Sequence, residues 1–337
     1  MTSPFVSIII PCYNAAPWVG EAIGSALAQT YLNKEVIVID DGSTDGSLQV
    51  IRSFRDRIRW ETGANRGACA ARNKGLRLAK GELIQFLDAD DLLYVTKVEK
   101  QVAVRDTVSA DIVFCDGEVL IDGRREPWAK HIPPYSGGDI FPFVLRHQMA
   151  ISAPLHQKRL LESIGGFDES LPCAQEFDLN IRLACAGVTF HHFREILYIW
   201  RRPQNRNTVS SNHIRVLDQY EKILSSAHTA LRLNGGPTEA HAEALAEAFA
   251  SAARYYIRHK EEGKGRRYLG LARGIHKSGG LMAFGRLYRT ANRLFGPIVT
   301  EYMVDVKRWL LTCFSGESMK GIAASNEADE TSGARDL

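Results

Sequence analysis

Apolar and polar positions follow two alternating rhythms over the first ninety residues. Phe5-Val6-Ser7-Ile8-Ile9-Ile10 is a β-branched run closed by Pro11, the pattern of a strand buried on both faces. Trp18, Val19, Ala22, Ile23, Ala26 and Leu27 then recur at helical spacing. Val36-Ile37-Val38-Ile39 reads as a second buried strand, stopped by Asp40-Asp41-Gly42-Ser43, and a helix is predicted from Asp45. A further helix over residues 67–79 precedes a strand at 83–87, which runs out on Asp88-Ala89-Asp90-Asp91. This alternation predicts a mostly parallel α/β sheet, in which ligands gather beyond the carboxyl ends of the strands. Residues 11–14, 40–41 and 88–91 all fall on that edge.

Beyond residue 111 the pattern turns to mixed α+β. Residues 111–121 read as a strand entering a turn at Asp122-Gly123. Residues 123–139, rich in Pro, Gly and charge, read as a loop over the site; 176–186 as a helix; and 196–200 as a strand before Arg201-Arg202-Pro203. From residue 214 to 313, Ala, Leu, Arg and Tyr at helical spacing replace the β-branched alternation, and 315–337 have the composition of a disordered tail.

Composition narrows the classes. The 337 residues suggest about two domains at roughly 150 residues each. With 45% hydrophobic and 24% charged residues, collagen-like and wholly disordered readings fall away. A net charge of +3 argues against a nucleic-acid binder. Cys12, Cys69, Cys115, Cys173, Cys185 and Cys313 include no CxxC pair, so buried thiols are expected rather than zinc or disulfides. No signal peptide or long apolar run is visible, and a cytoplasmic location is expected.

The sharpest chemical feature is Asp88-Ala89-Asp90, two carboxylates in a strand-end turn that can face one hard divalent cation. Asp91 reads as a cap for a following helix. Thr44 or Asp45 is an N-cap candidate, whereas Asp41 sits where a carboxylate can accept hydrogen bonds from a base or ribose. Asn65-Arg66-Gly67 with Ala70-Ala71-Arg72-Asn73 supplies a glycine-permitted close approach and a basic group at the same edge. Adjacent histidines on a strand point apart, so His191-His192 read as core or interface rather than as a metal pair.

Four blocks then carry a resemblance: Val6-Ser-Ile-Ile-Ile-Pro-Cys-Tyr-Asn14, Val38-Ile-Asp-Asp-Gly-Ser-Thr-Asp45, Asn65-Arg-Gly-Ala-Cys-Ala-Ala-Arg-Asn73, and Gly81-Glu-Leu-Ile-Gln-Phe-Leu-Asp-Ala-Asp-Asp91. Together with Ile164-Gly-Gly-Phe-Asp-Glu169, Gln175-Glu-Phe-Asp178 and Arg182-Leu-Ala184, they resemble the inverting family 2 glycosyltransferases of the GT-A fold. The resemblance implies a GT-A domain over 1–213, with a nucleotide-sugar half (1–110) and an acceptor half (111–213), then a helical region (214–314) and a tail (315–337). It implies that Pro11, Tyr13 and Asn14 hold base and ribose, Asp41 the nucleobase edge, and Asn65, Gly67 and Arg72 the nucleotide loop. Asp88, Ala89 and Asp90 would meet the donor, Asp88 at the ribose and Asp90 through Mg or Mn on the diphosphate, with Asp88 the second metal candidate. The family's base is an Asp in a Glu-Asp pair. Here the position reads Gln175-Glu176, so Glu176 is the candidate base and Asp178 the alternative. Many relatives have a His after the strand ending at Trp200; this chain has Arg201, Arg202 and Arg206, to grip the diphosphate or to form a solvated loop.

The activity implied is inverting, metal-dependent transfer from a nucleotide-diphosphate sugar, with uridine the expected base, to a glycan or lipid-linked acceptor of the cell surface. A catalytically weak nucleotide-sugar-binding scaffold and a nucleotidyltransferase are the alternatives. A dinucleotide-dependent dehydrogenase is disfavoured, because the first strand–helix turn lacks Gly-x-Gly-x-x-Gly.

Residues 254–308 hold a net charge of +9, which the whole-chain value conceals. Leu281, Phe284, Leu287, Tyr288, Ala291, Leu294 and Phe295 form one helical stripe, and Ile298, Val299, Tyr302, Met303, Val306, Trp309 and Leu310 a second. Basic helices with such stripes suit an anionic membrane surface, here through 280–311 on the inner face of the cell membrane. Equally, they suit packing against the catalytic domain or a second copy of the chain in a homo-oligomer.

Overall fold

The computed structural model describes residues 3–121, 123–127, 133–202, 213–281 and 284–315. The chain divides into two units, Met1–Val144 with Gln148–Ser211, and Leu145–His147 with Asn212–Leu337.

The first unit is built on one mixed sheet. Its central strand β1 (Val6–Cys12) lies between β2 (Lys34–Asp40) and β4 (Leu83–Phe86), with β3 (Arg59–Thr62) outside β2; these four are parallel. Then β8 (Pro154–Gln157) runs antiparallel between β4 and β6 (Ile112–Ile121), β9 (Phe190–Arg201) lies parallel to β6, and β5 (Leu92–Leu93) closes the edge. Strand β7 (Arg124–Pro127) forms a hairpin with β6. Val6, Ile8, Ile9 and Ile10 are fully buried, as the unbroken apolar run requires.

Helices α1 (Val19–Leu27), α2 (Ser47–Ser53), α3 (Ala68–Leu78) and α4 (Lys97–Thr107) connect these strands. After them come α5 (Phe141–Arg146), α6 (Lys158–Ser163) and α7 (Gln175–Cys185). Helix α3 sits directly on β1: a Cβ at Gly75 would fall 2.3 Å from Ile9 Cγ2.

Several sequence expectations change. Pro11 does not end its strand, because pairing of β1 with β4 stops at Ile9 and no ladder partner is lost at Pro11. The expected loop at 123–139 contains β7; residues 128–132 lie outside the described residues. Strand β9 starts at Phe190 rather than at 196, since it pairs along β6 through a bulge at Asp116. His192 therefore lies in the core, its Nε2 2.7 Å from Asp116 and its ring stacked on Phe114.

In the second unit, α8 (His213–Leu233), α10 (Glu262–Ile275) and α11 (Arg286–Ser315) pack on α9 (Glu239–Arg258). Helix α9 is Ala-rich and buried over most of its length, and small side chains let its neighbours approach closely. Thr238 caps it by accepting the His241 N–H. Helix α11 breaks at Gly296, where φ is +79°. Glu301, 1% exposed, accepts hydrogen bonds from Arg254 (2.7 Å), Arg258 (3.0 Å) and the Tyr288 hydroxyl. Phe284 and Tyr288 of the first expected stripe pack inward on Arg254. The side chains of Leu287, Phe295, Tyr302, Val306, Trp309 and Leu310 lie outside the described residues, as do residues 316–337 of the expected tail. Among the described residues no helix is long and apolar enough to cross a membrane.

Candidate functional site

The carboxyl ends of β1, β2, β3 and β4 meet on one edge of the sheet, and loops that brace one another follow them. Asn14 adopts φ +49°; its N–H donates to Ser43 Oγ (3.0 Å) and its Oδ1 accepts the Thr44 N–H (2.8 Å). Asp45 accepts the N–H groups of Ala16 (3.1 Å) and Ser47 (2.9 Å). Asp40 takes the Thr62 hydroxyl at 2.6 Å. Asp41 is buried, and its two oxygens accept the N–H groups of Arg66 (2.9 Å) and Gly67 (2.8 Å). Gly42 is required here: at φ +76°, a Cβ would meet Asn65 N and Gly63 O, both at 2.8 Å. Tyr13 stays 47% exposed at this edge.

Arg72 is the hub of the opposite side. It is 3% exposed, with one Nη donating to Gln175 Oε1 and the other to Asp88 Oδ1 (2.6 Å) and Glu176 Oε1 (3.4 Å). Its guanidinium lies over the Phe167 ring, 5.3 Å from the centroid. Burial alone would lower its pKa; the carboxylates of Asp88 and Glu176 outweigh this and raise it. Burial pushes the Glu176 carboxyl above its ordinary value; Arg72 opposes this and Asp88 adds to it.

Neighbouring Asn73 holds the Gly165-Gly166-Phe167-Asp168-Glu169 turn. Its Nδ2 donates to Phe167 O (2.9 Å) and Glu169 Oε1 (3.0 Å), and its Oδ1 accepts the Phe167 N–H (2.8 Å). The motif's glycine is steric: at Gly166, φ +71°, a Cβ would fall 2.5 Å from Asn73 Oδ1. Arg66 reaches Glu169 at 3.3 Å from the loop braced by Asp41.

The structure thus gathers Asp88, Arg72 and Glu176 around one guanidinium, while Asp41, Asn65 and Gly67 form one braced loop. Asp178 does not join them, because its carboxylate is held by Arg182 one turn on, at 2.9 and 2.6 Å. Asp91 caps no helix: α4 starts six residues later, and Asp91 instead accepts the backbone N–H of Arg201 (3.1 Å). Arg201 is itself paired with Glu21 at 2.7 Å, and Arg202 lies over Trp200; Arg206 lies outside the described residues. Sequence reading missed Gln175 as an Arg72 partner, and its place beside Glu176 was the available signal. Burial pushes the Cys12 and Cys69 thiols up to about 11 and about 12, so neither is a thiolate nucleophile at neutral pH.

Asp88 and Asp90 are half-buried carboxylates one residue apart, and hard oxygen donors of this kind fit Mg or Mn. Among the described residues no third His, Cys, Asp or Glu converges with others into a protein-only cage.

The sequence model of Glycosyl transferase family 2 matches residues 7–160. An uncharacterized glycosyltransferase of Rickettsia typhi is 37% identical over 230 residues, spanning 66% of this chain and 71% of the relative. Among solved structures, TarS 1–349 of S. aureus in complex with UDP-GlcNAc superposes with a TM-score of 0.70 at 20% identity, covering 94% of this chain and 93% of that one. The mannosyltransferase PcManGT of Pyrobaculum calidifontis, in complex with GDP-Man and Mn2+, gives 0.57 at 18% identity over 91% and 88%. The shared fold is GT-A.

Proposed function

Because the chain belongs to glycosyl transferase family 2, we propose that it moves a sugar from a UDP-sugar to a hydroxyl of a glycan or lipid-linked acceptor, inverting the anomeric centre. The single observation that carries the reading is the Arg72 guanidinium, which ties a strand-end carboxylate, Asp88, to a candidate base, Glu176. The UDP-GlcNAc held by the TarS neighbour supports the choice of donor, and the Mn2+ of the mannosyltransferase supports the choice of cation.

In this reading the nucleobase and ribose lie along residues 11–14 and the loop braced by Asp41, with Tyr13 presenting its exposed ring. Asp90 and Asp88 would hold a Mg or Mn ion, which would neutralise charge on the diphosphate. Glu176 takes the proton of the acceptor hydroxyl as its oxygen attacks the anomeric carbon. The nucleoside diphosphate departs from the opposite face, and one displacement inverts the centre. A base works best with a pKa near the working pH, and burial moves Glu176 in that direction. Arg72 keeps the base and the donor carboxylate in register, and keeps both compatible with burial. We place the reaction at the cytoplasmic face of the cell membrane, where a lipid-linked acceptor is presented.

Thermal stabilisation by UDP and UDP-GlcNAc, with and without Mn, tests the donor site. UDP release then tests the base: Glu176→Gln is expected to lower turnover by about 10²–10⁴-fold while UDP-GlcNAc still stabilises the fold. Equal loss of binding and turnover overturns the base assignment, and absence of any nucleotide effect on the wild type overturns the donor reading.

A further inference from the structure

Among its described side chains, helix α11 inverts the usual arrangement of a surface helix. Asn292, Thr300 and Glu301 are buried, at 6%, 1% and 1% exposure, whereas Leu294, Val299 and Met303 stand 68%, 47% and 48% exposed. The inward face is fixed by charge. Glu301 is gripped by Arg254, Arg258 and Tyr288, so the helix cannot turn its apolar side inward without stranding a buried carboxylate. Val299 and Met303, four residues apart, share one face. Before the break at Gly296, Leu294, Arg286 and Arg293 are all exposed.

An exposed apolar face rimmed by polar groups marks an interaction surface. The charge around it names the partner. Residues 286–303 hold Arg286, Arg289 and Arg293 against a single acid, Glu301, which Arg254 and Arg258 neutralise, so a second copy would set like charge against like. We infer that this face of α11 docks on an anionic bilayer. Leu294, Val299 and Met303 enter the boundary between headgroups and acyl chains, and Arg286 and Arg293 meet lipid phosphates. The inference rests on the second unit alone and stands whether or not sugar transfer proceeds as proposed.

The test is co-sedimentation of the full chain with vesicles of equal parts phosphatidylglycerol and phosphatidylcholine, and with phosphatidylcholine alone. Binding is expected only to the anionic vesicles, and raised salt should weaken it. Val299→Glu with Met303→Glu, and separately Arg286→Glu with Arg293→Glu, should each lower the bound fraction about tenfold or more. Both pairs lie on the exposed side, so the melting temperature should hold. Failure to bind anionic vesicles, equal binding to neutral ones, or wild-type binding by the variants overturns the inference. So does a concentration-dependent dimer that the Val299 and Met303 changes dissociate. UDP-GlcNAc stabilisation of the same sample keeps this failure distinct from failure of the donor site.

Discussion

Asn73 and Phe167 exchange two hydrogen bonds, side-chain amide to backbone amide, as two residues in adjacent strands would. Helix α3 thereby carries the turn that precedes Glu176. Replacing Asn73 with Ala leaves the N–H and C=O of Phe167 buried without partners, and unfolding in urea should show a loss of about 2–4 kcal/mol. Turnover should fall with it, because Glu169 and Arg66 lose their shared anchor. A variant as stable as the wild type would show that the turn holds itself.

The chemistry of Glu176 has a pH signature. Its carboxyl is raised by burial, with Arg72 opposing and Asp88 adding. As a base it must be ionised, so kcat/KM should rise with pH through a limb above the ordinary value of 4.5. Gln175→Glu places another carboxylate on Arg72 and should move that limb up by about one pH unit. A limb that stays in place in the UDP-release profile removes either Glu176 as base or Gln175 as the neutral partner that leaves it ionised.

Asp91 makes a stability prediction. Burial, with Asp88 and Asp90 adding to it, pushes this carboxyl well above the ordinary range. The folded state then binds more protons than the unfolded chain above 3.8, so the contribution of Asp91 becomes less favourable as pH rises toward its folded pKa. Asp91→Asn keeps an acceptor for the Arg201 N–H and removes the titration. Without divalent cation the variant should melt higher than the wild type at pH 7, the gap closing by about pH 4. A wild type as stable as the variant at pH 7 contradicts this.

The two candidate metal carboxylates should separate experimentally. Asp90→Asn should abolish the Mn-dependent part of UDP stabilisation and leave the metal-free part, since Asp90 is not among the Arg72 partners described. Asp88→Asn should also lower the melting temperature of the ligand-free protein, because it takes a carboxylate from buried Arg72. Calorimetric titration of UDP with and without Mn reads the first outcome, and a thermal melt of the ligand-free variants reads the second.

Lys97 tests the core beneath the strand ends. It is fully buried, donating to Gln85 Oε1, Gln101 Oε1 and Ala153 O, and burial lowers its pKa to about 8. Its folded value lies below its unfolded value of 10.5, so the unfolded chain binds more protons between them and stability rises with pH across that window. Lys97→Met should be destabilised by about 3 kcal/mol at pH 7, because the buried side-chain oxygens of Gln85 and Gln101 lose their donor. Relative to that variant, the wild type should gain stability between pH 8 and 10.5. Parallel pH profiles would mean that the ammonium is not desolvated.

Strands β1 and β2 were legible because they are buried on both faces and write nearly continuous apolar runs at residues 5–10 and 36–39. Strands β3, β5, β7 and β8 are two to four residues long, too short to set a period. The polar strand ends could be placed on one edge by alternation alone. What each carboxylate does there could not, since Asp91 finds its partner at Arg201 and Arg72 finds Glu176 more than a hundred residues away. The Asp178–Arg182 pair was in principle readable, as their spacing is one helical turn. Helix α11 was the least legible element. Its apolar residues write two stripes that suit a membrane surface or packing, and a buried Glu301 with two arginines decides which side faces in.

Gly75 has a reach beyond packing. With room for only a hydrogen against Ile9, it indexes α3 to the central strand, as a keyway fixes a shaft to its hub. Arg72 and Asn73 are cut on the same shaft a turn earlier. An added methyl at position 75, apolar and remote from any reacting atom, would shift both together. Kinetic defects in this chain should therefore surface among hydrophobic substitutions that no inventory of polar groups would nominate.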